Sequence, residues 1–168
     1  LQLTNVFVIG TGLEWECEDK QADALLKEFW NHPLNMLQTH IPAWLDEQTR
    51  SGDLFLLFSV DAAGMSYVRA VPSERIKEIQ TKENDYQQET FFIQDDLNAT
   101  PWPAYDPQEQ QTTFMLHFPI NQPVGCQFGE SDLSPLLPWI GRLSTLVGDR
   151  VILHHVRSQI SFVLQGKF

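Results

Sequence analysis

The sequence predicts an α+β protein: a small mixed or antiparallel sheet, two N-terminal helices and one long C-terminal helix. Three observations carry this expectation. Apolar residues recur at helical spacing after Asp19 and again after Pro33. β-branched and aromatic runs bounded by turn residues recur between Asp53 and Phe118. One uninterrupted helical pattern then runs from Ser134 to Arg157. With 168 residues, 42% hydrophobic and 20% charged, the chain is long enough for one ordinary core.

The elements follow in order. "LTNVFVIG" (3–10) reads as a strand closed by Gly10 and Gly12, and "LEWEC" (13–17) alternates as a second short strand would. From Asp19, a candidate N-cap, Ala22, Leu25, Leu26, Phe29 and Trp30 form one apolar helix face, and Pro33 ends that helix. A second helix is expected from Pro33 or Leu34 to Thr49, burying Leu34, Leu37, Ile41, Trp44 and Leu45, with a kink near Pro42 and an end at Gly52. "DLFLLFSV" and "MSYVRAV" are two strands joined by a turn in which Gly64 takes positive φ. The first of them is almost continuously apolar, so burial on both faces is expected. "PSERIKEIQ" gives a short turn and an edge strand, and "QETFFIQ" another strand. Residues 95–111 form a surface excursion, "TTFMLHF" returns as a strand, and "PINQPVGCQFGESD" is a loop.

In the long helix, Ser134 or Asp132 is the expected N-cap and Pro135 suits the first turn. Leu136, Ile140, Leu143, Val147, Val151 and His154 share its apolar stripe, over a length of about 36 Å at 1.5 Å per residue. Leu133, Leu137, Leu146, Ile152 and Leu153 lie off that stripe, so more than one face is expected to pack against something, neighbouring subunits included.

Charge divides at the same place. The net charge is −11, yet residues 131–168 hold four of the 11 basic side chains and only two of the 22 acidic ones. The acidic remainder argues against simple nucleic-acid binding, which needs Lys and Arg on phosphates. No apolar run approaches the roughly 18 residues that span a bilayer, and the N-terminus lacks signal-peptide order, so no membrane partner is expected. Cys17 and Cys126 stand far apart without a CxxC partner and read as reduced thiols. The first residue is not Met and the last follows a β-like segment, which reads as an excerpt of a longer polypeptide.

Catalytic constellations are sparse. HExxH, GxSxG, HxH and DxDxDG are all missing. His154 and His155 are adjacent and point about 100° apart on a helix, unsuited to sharing one metal. His32, His40 and His117 have no Asp or Cys partner nearby in sequence. Ser131 in "GESDL" is read as a cap before a nucleophile. Glu14, Glu16, Glu18 and Asp19 read as a solvated face before a Mg²⁺ cluster, and "GTG" at 10–12 as a tight turn before a phosphate site. No catalytic, cofactor or metal residue is assigned, and a structural or assembly element is the expectation.

The order of segments resembles the middle of the portal proteins, the head-to-tail connectors of tailed bacteriophages. "VFVIGTGLEWECEDKQADALLKEFWNHPLN", "SGDLFLLFSVDAAGMSYVRAVPSERIKEIQT" with "NDYQQETFFI", and "FMLHFPINQPVGCQFGESDLSPLLPWIGRLSTLVGDRVILHHVRSQISFVLQG" carry the likeness. The last is the most telling: a strand ending in "HF", a polar loop with "GxSxL", a long helix with a central "DR", then a strand. The resemblance implies a wing-like α+β domain over 1–127, a stem-like helix over 128–158 and the start of a clip-like strand over 159–168. It further implies a non-enzymatic homo-oligomeric ring, usually of twelve subunits, at one capsid vertex of the virion, made in the bacterial host cytoplasm. Terminase, capsid and scaffold proteins and a tail or head-completion adaptor would be its partners, double-stranded DNA would pass through its channel, and no cofactor is implied.

On that basis Ile140, Arg142, Val147, Arg150, His154 and Arg157 are the candidate subunit-interface or channel residues. Two other readings stand beside it. A small-molecule-binding or hydrolytic α+β domain would use the Gly10–Gly12 turn or Ser131 and needs a concave pocket with a strongly perturbed titratable group. A monomeric protein-interaction module would have a short, well-buried final helix.

Overall fold

β1 (Asp53–Val60) organises the fold because its two faces serve two different packing layers. It pairs antiparallel with β2 (Ser66–Val71), opposing Phe55 to Val71 and Leu57 to Arg69. The turn between them is held by Asp61, whose Oδ1 accepts from the Ala63 and Met65 N–H groups, and Gly64 sits at φ 89 as its sequence position predicts. On the other side β1 pairs antiparallel with β6 (Thr113–Pro119), which sets Phe55 opposite His117.

A second antiparallel sheet holds β3 (Ile76–Lys82), β4 (Asp85–Gln94) and the two-residue β5 (Trp102–Pro103), in the order β3-β4-β5. β3 is an edge strand as expected, entered through a 3-10 turn at Ser73–Arg75. It turns into β4 through Asn84 at φ 63. A single parallel bridge from Ala104 to Met115 links the chain beyond β5 to β6.

The alternation of side chains along β1 then divides the core. Phe55 packs with Val71, Ile76, Ile79, Phe92 and Met115 between the two sheets, where Phe55 and Phe92 are completely buried and meet edge to face. Leu54 and Leu56 pack with Val68 and Leu37 on the opposite side, against the helices. The apolar run of β1 is thus covered on both faces over its N-terminal half.

Three helices precede the sheets: α1 (Gln2–Ile9), α2 (Lys20–Asn31) and α3 (Leu37–Ser51). The strand expected over 3–10 is a helix. An apolar run of this length carries no decisive period, and the glycine read as closing a strand ends a helix instead: Gly10 takes φ 60 and its N–H donates to the Val6 carbonyl. Much of the expected "LEWEC" strand falls outside the described residues of this computed structural model, which are 2–10, 12–13, 17–96 and 98–159.

α2 starts at its predicted cap, Asp19 accepting from the Gln21 N–H, and stops before Pro33. Its predicted apolar face is only partly used. Phe29 and Trp30 pack on the core, whereas Leu25 and Leu26 stay exposed. α3 begins at Leu37, later than expected, because residues 32–36 turn around a buried Asn35 and leave Leu34 in solvent. It ends at Gly52, as predicted, in the left-handed conformation.

Gly52 also meets Gly129 back to back. A Cβ on Gly52 would lie 2.6 Å from the Glu130 carbonyl carbon, so both the turn and the approach require glycine. The loop after β6 is fastened there: Ile120 N–H donates to Gly52 O, Glu130 N–H to Ile120 O, and Asp132 N–H to Thr49 O.

Contacts divide the chain into two units, Leu1–Asp132 and Leu133–Phe168. The second opens with a 3-10 turn, Ser134–Leu136, and continues as α4 (Leu137–Gln159). Pro135 occupies the first turn as expected, but neither expected residue caps it. Leu133 stands at the cap position, and the Asp132 carboxylate accepts from Asn121 Nδ2 at 2.6 Å instead. The expected clip-like strand over 159–168 lies outside the described residues from 160 onward.

Candidate functional site

Two places gather the groups from which a function can be built: the surface of α4, and the seam between the two sheets at His117.

All six candidate residues fall on α4, and no residue of that helix is buried within its own unit. Ile140 and Val147 are seven residues apart and share the apolar stripe with Leu143 and Val151. Arg142, Arg150 and Arg157 follow steps of eight and seven, which spread them over an arc of about 80° on a 3.6-residue helix. The Arg142 guanidinium lies 4.9 Å from the Trp139 ring centroid, a cation-π contact within the helix. Among the described residues, none of these three arginines forms an ion pair. His154 adjoins the apolar stripe, while His155 points away and meets Gln159 Nε2 at 3.1 Å.

Ten large apolar side chains of α4, from Leu137 to Val156, are 44–65% exposed. A helix apolar on several faces is stable when those faces are covered. Covering each such side chain is worth roughly 1.5–3 kcal/mol. A short, buried final helix, as an interaction module would have, is not what this unit presents.

The seam contains what the sequence did not disclose. The His117 side chain is fully buried, stacked on Phe55 with ring centroids 4.4 Å apart, and edge-on to Phe92. Its Nε2 lies 2.9 Å from Asp53 Oδ1, and its Nδ1 lies 2.5 Å from Glu89 Oε1. Carboxylates accept and do not donate, so two carboxylate partners call for a proton on each ring nitrogen, the imidazolium form. Burial pushes the His117 pKa down, but the hydrogen bonds to Asp53 and Glu89 and the charges of both outweigh it, and the net direction is upward from the ordinary value. Asp53 is itself buried and accepts a further hydrogen bond from the Gly129 N–H at 2.7 Å.

β4, β1, β6 and the loop before α4 are therefore joined at one ionised cluster. Asp53 and Glu89 stand 64 and 28 residues from His117, and only strand register and sheet stacking unite them. The one sequence signal was an acid heading the most apolar strand.

Over this cluster lies an open cleft of about 760 Å³. The hairpin tip with Asp85 and Tyr86 forms one wall, Gln122 to Cys126 the other, and Glu89 with His117 the floor. Cys126 is a free exposed thiol and Cys17 a free, half-buried one. With both ring nitrogens committed to carboxylates, His117 has no lone pair for a metal or a substrate proton.

The positions named for the ligand-binding alternative lie elsewhere. Ser131 Oγ donates to the Thr49 carbonyl at 3.0 Å, fastening the loop to α3. The Gly10 N–H is consumed at a helix C-terminus, where dipole and carbonyls disfavour phosphate. Glu14 and Glu16 lie outside the described residues.

A second missed residue is Asn35. Its Nδ2 donates to Phe29 O and Ser66 O, and its Oδ1 accepts from Val68 N–H, so one side chain ties the end of α2 to the outer edge of β2. No helix among the described residues is long and apolar enough to cross a membrane. The sequence matches no protein-family model and no curated protein.

Proposed function

We propose that this chain is part of a phage portal protein, contributing a wing-like α+β domain and the first stem helix to a ring at the capsid vertex. The observation that carries the reading is α4: a 23-residue helix with ten exposed large apolar side chains and three arginines that form no ion pair among the described residues. Neighbouring copies of the same helix, packed side by side around an axis, cover such faces with a repeated contact. The order of segments along the sequence, from "VFVIG" through "SGDLFLLFSV" to the "HF"–"GxSxL"–"DR" series, supports the same assignment.

In this reading Ile140 and Val147 pack against the adjacent stem. Arg142, Arg150 and Arg157 pair with acids of a neighbouring subunit, with His154 at the margin. Dense cation arrays facing DNA would hold phosphates and resist sliding, and a chain of net charge −11 suits passage without adhesion. The ring takes double-stranded DNA from the terminase, is built in with capsid and scaffold proteins, and later receives a tail or head-completion adaptor. It performs no chemistry of its own.

Negative-stain electron microscopy of the full-length gene product tests this directly. Rings with a central hole wide enough for duplex DNA are expected, and compact single particles at every concentration would refute the proposal. Arg150→Glu is expected to weaken ring formation. Intact rings with altered DNA packaging would instead assign that arginine to the DNA.

A further inference from the structure

The His117 cluster does more than fill space, because its two carboxylates are held unequally. Asp53 keeps a second donor, the Gly129 N–H at 2.7 Å, and its side chain is 5% exposed. Glu89 reaches His117 from the other sheet, and its side chain is 24% exposed, at the floor of the open cleft. The groups facing the imidazole are Asp53 from β1, Glu89 from β4, and the rings of Phe55 and Phe92. Around the cleft the other titratable groups are Asp85, Tyr86 and Cys126.

A neutral imidazole has one N–H and one lone pair, so it can satisfy only one of two carboxylates; the other then faces a lone pair across a hydrogen-bond distance. Asp53, buried and still bonded to Gly129, is the costlier group to strand. Glu89 is partly open to solvent.

We propose that the His117 imidazolium is a latch between the two sheets, and that loss of its Nδ1 proton releases Glu89 and lets the β3–β4 hairpin open away from β6 while the β2–β1–β6 sheet stays closed. The step is a simple deprotonation: the Nδ1 proton leaves to solvent, the Nε2–H remains on Asp53, and the Glu89 carboxylate turns into the cleft. The direction follows from linkage. A histidine whose pKa is raised on folding contributes its stabilisation in full below about pH 6.5, and loses it as the pH rises through the higher folded value. The latch is therefore an alkaline release. It is independent of the portal assignment.

Hydrogen exchange followed by mass spectrometry across neutral to alkaline pH, corrected for the intrinsic rate, tests it on the intact chain. Peptides covering 85–94 are expected to lose protection by up to about tenfold per pH unit above the His117 transition, while peptides covering 53–60 keep theirs. The His117 Hε1 resonance is expected to titrate over the same range, above the ordinary value for histidine.

In Glu89→Gln the amide offers an oxygen to a protonated Nδ1 and an N–H to a neutral one, so protection of 85–94 should become independent of pH. The proposal is overturned if His117 titrates below about 6.5. Equal loss of protection in 53–60 and 85–94 also overturns it, as does an alkaline loss in Glu89→Gln matching that of the unaltered protein.

Discussion

The unit ending at Asp132 and the unit holding α4 solve the problem of stability in opposite ways. The first encloses Phe55, Phe92, Ile79 and Met115 at 0–1% exposure between two sheets, and fastens those sheets through buried His117 and Asp53 and the partly exposed Glu89. Among its described residues the second encloses nothing: its apolar residues are as large a share of its sequence, but they lie exposed along a single helix. A similar apolar share therefore gives a closed core in one unit and an exposed apolar helix in the other. The difference lies in whether the chain returns to cover its own apolar face, since isolated helices gain most of their stability from packing.

Substitutions sharpen this contrast. The largest effect is expected from Phe55→Ala, which removes the ring shared by the core and the His117 stack. A loss of about 3–5 kcal/mol in chemical denaturation is expected for the first unit. Asn35→Ala strands the Val68 N–H and two carbonyls between helix and sheet, and should cost about 3 kcal/mol by the same measurement. A cost below about 1 kcal/mol would mean that water replaces the amide. Ser131→Ala removes one bond to Thr49 and should cost about 1 kcal/mol while leaving ring assembly intact. Loss of function with fold and assembly preserved would revive Ser131 as a chemical group.

The smallest effect on the stability of the first unit, within about 0.5 kcal/mol, is expected from Val147→Asp, because that residue is exposed. The same substitution should abolish association in analytical ultracentrifugation. Unchanged association would break the comparison at its weaker side and remove α4 as an interface.

Where signals are local, the sequence was sufficient. The β1–β2 hairpin, the Asp19 cap, the Gly52 stop and the long helix all rest on residues within a few positions of one another. Prediction failed at Val6–Ile9, where a short apolar run fits helix and strand equally. It failed again at Leu25 and Leu26, because an amphipathic face shows only that a partner is suited, not that one is present.

His117 shows the limit most clearly. No Asp or Cys stands near it in sequence, yet it has two carboxylate partners, brought in by β1 and β4. The six candidate residues of α4 were legible as members of one helix, while what covers them was not.

The sequence by itself determined the types of most elements after Asp19, several of their ends, the division of charge between the two units and the helical pattern of α4. Only the tertiary structure decided that the strands split into two sheets, which layer covers each face of β1, and that an acid from each sheet meets one buried imidazole. Helical period, caps and turns are set by neighbours a few residues apart, whereas the pairing of a buried charge depends on strand register and sheet stacking across 28 and 64 residues.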